Sequence, residues 1–431
     1  MTRVASGSKH EPLSHVDAAW LRMDTPTNPM MITSLIVYRE PVSFEALEKV
    51  VRERLLVHER FRRRVGHGVL AGPHWEDDPY FDLANHLHRV ALPEPGDRGA
   101  LQSMVGDLMS SPLDRNRPLW QLHLVEGFQG RTALITRLHH CMGDGVALVA
   151  VLLGMTEEGQ GLSPQQVGLQ PDPAPDGLKD RAKAMASQAA TLGRILLLPS
   201  DPPSPFKGEM GVRKRAAWSD PLPLERVKAV GKALGAKVND VLVACLAGAL
   251  RSYAESRGSW PEGRELRALV PIYLQSPGHT DRLGNHFGLV FLTLPMAGAG
   301  PVERVREAKQ RMDAIKRSPE AMVALGVLGA MGVASSEIEQ IGVDVFTRKA
   351  TFLVTNVPGP PAPIHLAGGE IESLLVWAPA SGHVGIGCSL LSYAGHVRLG
   401  ISADAKRMPD PGTVARGFEA QFEELVRETG C

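Results

Sequence analysis

The chain has 431 residues, which exceeds one small hydrophobic core and suggests two or three domains. Apolar residues make up 43% and charged residues 22%, a globular composition, and Lys+Arg and Asp+Glu balance at 47 each, which removes the global electrostatic case for nucleic acid. Four scattered cysteines without a C-x-x-C fit free thiols in a reducing cytoplasm; the polar N-terminus has no signal-peptide pattern, and no apolar run reaches the ~20 residues of a membrane-spanning helix.

In chain order, Ser14 is placed to cap a short helix carrying Asp17, Trp20 and Leu21, which Pro26 and Pro29 end. A strand over Ile32–Tyr38 follows, and Ser43 caps an amphipathic helix over Phe44–His58. Four arginines between Arg60 and Arg64 read as a solvated helix end, with an anion-binding patch as the alternative. His86–Leu92 is strand-like and Ala100–Ser110 helical, and Pro118-Leu119-Trp120 leads into a strand over Trp120–Val125. Trp120 itself suits core packing.

The chain is organised around Leu138–Leu148, L-H-H-C-M-G-D-G-V-A-L. Arg131–Leu138 alternates as a strand, with Leu134, Thr136 and Leu138 on one face and Ala133, Ile135 and Arg137 on the other. An apolar helix begins beyond Gly145. His139 and His140 therefore stand at a strand end, and only one of them can face a given cavity. Imidazole there is suited to general-base work near neutral pH. Buried structural histidines are the plain alternative. A metal site of His139, His140 and Asp144 would need adjacent, diverging side chains to converge.

Residues 154–217 change to Pro/Gly/Ser/Asp-rich linker chemistry enclosing one amphipathic helix, Leu178–Leu198. The second half opens near Trp218, with a helix over Pro223–Leu234. Asn239 is placed as the cap of an apolar, buried helix whose first turn carries Asp240. Capping alone is one role for Asn239; facing a reacting carbonyl is the other. Strands follow at Leu266–Leu274 and Leu289–Leu294, and helices at Val302–Arg317 and Ala321–Ala334. Phe352–Val354 enters T-N-V-P-G-P-P, and three strands (Glu370–Ala378, Gly385–Ser392, Val397–Ala403) precede a closing helix over Pro411–Thr429. The order is mixed α/β in both halves. No G-x-S-x-G elbow, P-loop or dinucleotide fingerprint occurs. Cys141 points away from His140, so a Cys–His dyad is not expected. Direct transfer in a ternary complex is.

H-H-C-M-G-D-G resembles the H-H-x-x-x-D-G motif of the chloramphenicol-acetyltransferase-like, CoA-dependent acyltransferases. More narrowly, the chain resembles the bacterial wax ester synthase/diacylglycerol acyltransferase family. The matching motifs run in order: S-H-V-D-A-A-W-L, R-P-L-W, H-H-C-M-G-D-G, V-N-D-V-L-V-A, L-V-P-I-Y-L, L-G-N-H-F-G and T-N-V-P-G-P. The resemblance implies two α/β domains, each a mixed sheet with flanking helices, meeting at an active-site tunnel. The expected division is 1–155, a linker at 156–217, and 218–431. It implies His140 as base, with His139, Asp144, Gly145 and Asn239 in the catalytic group. Asp144 would hold its turn through an arginine, for which Arg115 and Arg117 are near in sequence. Pro118, Leu119, Trp120, Asp240, Asn285 and Asn356 are the implied substrate-binding positions. The implied reaction moves a long acyl chain from acyl-CoA to a diacylglycerol or a long-chain alcohol, with no metal or prosthetic group. The implied location is cytoplasmic, peripheral at the inner membrane face or lipid droplets, through Leu192–Leu198 or Ala321–Ala334. A carrier-dependent condensation enzyme and a non-catalytic lipid-binding protein are the alternatives.

Overall fold

The computed structural model describes residues 11–68, 72–143, 151–159, 190–258, 260–261, 263–273, 287–298, 300–316, 318–320, 323–324, 326–327 and 336–431. Two sheets carry the molecule. The first half supplies β1 (Glu11–Pro12), α1 (His15–Met23), β2 (Met31–Tyr38), α2 (Phe44–Val50), β3 (Arg63–Gly68), β4 (Gly72–Asp77), β5 (Leu87–Ala91), α3 (Arg98–Ser110), β6 (Trp120–Phe128) and β7 (Arg131–His139). The second supplies β8 (Lys214–Trp218), β9 (Leu222–Pro223), α4 (Leu224–Ala233), α5 (Val238–Ser256), β10 (Arg267–Tyr273), β11 (Phe287–Thr293), α6 (Pro301–Lys316) and α7 (Ser336–Thr347). Then come β12 (Phe352–Pro358), β13 (His365–Leu366), β14 (Gly369–Trp377), β15 (Ile386–Tyr393), β16 (His396–Asp404) and α8 (Pro411–Thr429).

The six-stranded sheet runs β13-β14-β2-β7-β6-β5, and the seven-stranded one β11-β10-β12-β15-β16-β8 with β9 on β16. A third, small sheet orders β1-β4-β3. Every residue of β2 is buried because both faces of its sheet are covered. Leu35, Val37, Ala133 and Ile135 pack towards α3, whereas Ile36, Tyr38, Leu134 and Leu138 pack with Trp20 and Leu21 of α1. The period-two reading of β7 is the one observed.

Several boundaries depart from expectation. β13 and β14 come from the second half yet complete the first sheet, with Trp377 opposite Thr33, so a single division at 218 does not separate the two sheets. β8, expected in the linker, is a strand paired to β16. The helix expected over Phe44–His58 ends as α at Val50 and continues through a wider turn, Val51–Leu55. The arginine run is not a free helix end. Arg63 enters β3 and pairs with Glu11, Glu59 and Asp77, Arg64 pairs with Glu76, and Arg60 sits over Trp75 and beside Glu11. Most of these charges are therefore neutralised internally, which argues against an anion site.

Candidate active site

α1 begins where expected: the Ser14 hydroxyl accepts from the Asp17 N–H at 3.1 Å. The helix ends at Asp24, and the chain then turns back into β2. Asp24 is the anchor of that turn. One of its carboxylate oxygens accepts from the Met30 N–H at 2.8 Å. The other accepts from Arg115 at 2.8 Å and lies 3.7 Å from His139 Nε2. Burial would raise this carboxyl, but the bonds with His139 and Arg115 outweigh it and hold Asp24 at about 2. The sequence reading missed Asp24. An aspartate just past a predicted helix end, seven residues before β2, is the available signal.

β7 delivers the histidines. Its register opposite β2 places His139 against Met31, and the His139 N–H donates to Leu119 O at 2.9 Å. Two residues earlier the buried Arg137 donates to Gln121 and to the Ser111 carbonyl, which pins the strand end. Burial lowers this guanidinium to about 10, still protonated near neutral pH. Beyond His139 a short 3-10 turn, His140–Met142, opens. His139 Nδ1 accepts from the Cys141 N–H at 3.1 Å, which makes His139 the cap of the turn. The His140 N–H donates to Met30 O at 2.8 Å, and its ring stacks on Trp20 with centroids 4.1 Å apart and planes 19° from parallel. The two histidines thus diverge. His139 looks back to Asp24, and His140 lies against Trp20 of α1.

Cys141 is fully buried, and burial pushes its thiol well above the usual range. It has no thiolate to offer. Asp144, Gly145 and Asn285 lie outside the described residues, so the arginine partner expected for Asp144 is not visible. Arg115, one candidate, bonds Asp24, and Arg117 pairs with Asp114 at 3.3 Å.

The structure places Pro118, Leu119 and Trp120 in the interior. The Trp120 indole N–H donates to Phe61 O at 2.8 Å, its ring stacks on His86, and it is wholly inaccessible. Asn239 is not a cap: α5 is capped at Lys237. Asp240 closes that cap by accepting from the Lys237 N–H at 2.9 Å, and it is buried. What the structure does bring together is Asn239 and Asn356, from motifs 117 residues apart, with Asn356 Nδ2 donating to Asn239 Oδ1 at 2.7 Å. Asn239 keeps a buried amide Nδ2 without a protein acceptor among the described residues.

The site lies on the seam between halves. Arg22 of α1 pairs with the buried Glu339 of α7, and Asn28 Nδ2 donates to Gly382 O at 2.8 Å. A small apolar cavity is lined, among the described residues, by Trp20 and Met23 from one half and by Leu269, Leu289, Val343 and Phe346 from the other.

Comparison with known proteins agrees with this geometry. The family model for the wax ester synthase/diacylglycerol acyltransferase catalytic domain matches residues 13–242, and that for the WS/DGAT C-terminal domain matches residues 283–426. A probable diacylglycerol O-acyltransferase of Mycobacterium tuberculosis, tgs1, is 28% identical over 96% of this chain and 95% of its own. The solved wax ester synthase/diacylglycerol acyltransferase from Marinobacter aquaeolei VT8 superposes with a TM-score of 0.74 at 24% identity, over 98% of this chain and 100% of that one. The first condensation domain of the calcium-dependent antibiotic synthetase shares the fold at a TM-score of 0.61 and 16% identity, over 97% and 95%. With its two family domains matched in order and its histidine turn built at their seam, the chain belongs to the wax ester synthase/diacylglycerol acyltransferase family.

Proposed function

We propose that the chain moves a long-chain acyl group from acyl-CoA to the hydroxyl of a diacylglycerol or a long-chain alcohol, with His140 as general base and no covalent intermediate. The observation that carries this reading is the divergence of the two histidines. His139 is consumed in holding the turn, while the His140 ring lies on the other side against Trp20, whose own ring also lines an apolar cavity. His140 accepts the hydroxyl proton as the acceptor oxygen bonds to the thioester carbon. The carbonyl π pair moves onto its oxygen, where the Nδ2 amide of Asn239 is the candidate donor. The pair then returns, the C–S bond breaks, and the CoA thiolate leaves with the proton from His140. General-base action of this kind contributes typically ~10²–10⁴-fold.

Acceptors of this class reside in membranes and droplets, so we place the working enzyme peripherally at such a surface. Among the described residues no single helix is long and apolar enough to cross a membrane. Supporting a surface contact, Leu196 and Leu197 are 51% and 86% exposed, as the linker-helix reading requires. An apolar stripe on the outer side of α7 adds to it: Ile338 and Ile341 are 61% and 63% exposed. Within Ala321–Ala334, the other candidate, Val323 and Ala324 are buried.

The test is to offer purified protein labelled palmitoyl-CoA with dioleoylglycerol or hexadecanol, separate the lipids and follow free CoA thiol. Ester and thiol should appear together only with acceptor. His140→Ala should lose ~10²–10⁴-fold in kcat, measured on folded protein because the ring it removes is buried against Trp20. No ester with either acceptor, or near-native turnover by His140→Ala, refutes the reading.

A further inference from the structure

His140 stands one residue beyond the end of β7, in the 3-10 turn. Its N–H donates to Met30 O at 2.8 Å, a bond that fixes the backbone but not the ring. The ring is met by Trp20, with centroids 4.1 Å apart and planes 19° from parallel, and both residues are buried. Trp20 is itself held in place. It belongs to α1, whose start is capped by Ser14 and which packs directly on the histidine turn. Its ring also borders Leu269 of β10, Leu289 of β11 and Phe346 of α7. The indole is therefore a fixed plate laid against one face of the imidazole.

A base that takes up a proton here becomes a cation in a buried place. Among the described residues, no charged side chain lines the cavity beside Trp20, and Asp24 is engaged with Met30, Arg115 and His139. The face of an aromatic ring attracts a cation, and the indole does so most strongly. A neutral imidazole gains little of this attraction, so the gain arrives with the proton. An interaction that is stronger in the transition state than in the ground state raises kcat rather than tightening substrate binding.

We propose that Trp20 is a positioning residue for the base: its indole face sets the plane of the His140 ring and stabilises the imidazolium formed when the acceptor hydroxyl gives up its proton. Trp20 acts on the reaction through His140. The proton leaves the acceptor oxygen as the O–C bond forms, rests on His140, and departs with the CoA thiolate once the C–S bond breaks. The inference rests on the acyl-transfer reading above, and its test separates the two.

Wild type, Trp20→Phe, Trp20→Leu, His140→Ala and the combination of Trp20→Leu with His140→Ala are assayed with labelled palmitoyl-CoA and hexadecanol, each after its fold is checked by circular dichroism. Loss of a desolvated cation–aromatic contact should lower kcat about 30-fold in Trp20→Leu, with both KM values close to wild type. Trp20→Phe keeps a smaller aromatic face and should recover most of that loss. In the His140→Ala background Trp20→Leu should cost nothing further, because no imidazolium is left for the indole to face, whereas a purely structural role would lower both backgrounds alike. If Trp20→Leu fails to fold, Trp20→Phe and a spectroscopic measurement carry the test. In histidine-labelled wild type the His140 ring protons, identified by their absence from His140→Ala, should resonate upfield under the indole ring current. Equal kcat in wild type and folded Trp20→Leu, a raised KM at unchanged kcat, the same loss in the His140→Ala background, or unshifted His140 ring protons overturns the inference while acyl transfer stands. No ester from wild type refutes acyl transfer itself, and the inference falls with it.

Discussion

Asp24→Ala should damage stability and rate together, because one carboxylate holds both the entry to β2 and the cap of the histidine turn. It accepts from the Met30 N–H at 2.8 Å and from Arg115 at 2.8 Å, and faces His139 at 3.7 Å, while the Met30 carbonyl accepts from the His140 N–H at 2.8 Å. Holding the group at about 2 rather than 3.8 is worth about 2 kcal/mol at neutral pH. Removing it also leaves the buried Met30 N–H without its acceptor, a penalty of roughly 1–3 kcal/mol. The two overlap, so Asp24→Ala should lose about 2–4 kcal/mol of unfolding free energy. Asp24→Asn keeps an acceptor oxygen for Met30 and should lose about half as much. The folded pKa lies below the unfolded one, so this stability is present above about pH 4 and fades as pH falls towards 2. The gap between wild type and Asp24→Ala in urea unfolding should therefore be full at pH 7 and shrink at pH 3. At permissive temperature kcat should drop at least ~10-fold through misplacement of His140. Equal urea midpoints at pH 7, or a gap that does not narrow in acid, would refute the reasoning.

Cys141→Ser should retain most activity, since the thiol is fully buried and held protonated; an acyl-thioester on Cys141 by mass spectrometry would overturn direct transfer. His123 is held at about 3, mainly by burial, with His88 and Arg137 adding to it. The native state stays neutral there while the unfolded chain takes a proton below about pH 6.5, so stability should fall by up to ~1.4 kcal/mol per pH unit between pH 6 and 4. His123→Phe should flatten that slope of unfolding free energy against pH, and an unchanged slope would contradict it. Leu196 and Leu197 replaced together by Ser should weaken vesicle co-sedimentation in high salt and raise KM for the lipid acceptor but not for acyl-CoA. Binding abolished by salt, or indifferent to the change, would remove the surface contact.

Much of this protein could be read from neighbours two to four residues apart. The alternation of Arg131–Leu138 set which side chains face α3 and which face α1, and Ser14 and Ser43 cap α1 and α2 as read. The H-H turn, its diverging side chains and the family motifs are likewise local. These features depend on backbone periodicity and on capping bonds that span three residues, so the chain carries them wherever it goes. Tertiary structure decided the rest. The pattern of Glu370–Ala378 predicts a strand but not a host, and as β14 it joins β2 of the other half because that edge offers backbone partners and a buried face. The arginines of 60–64 look solvated until Glu11, Glu76 and Asp77 arrive from other segments. Trp120 suits core packing by its type alone, but its partners, Phe61 and His86, come from distant segments. Asp24 acquires its role from Arg115 and His139, which are distant in sequence. Long-range pairing of faces and charges is settled by which surfaces can be buried together, and no window of local sequence contains that information.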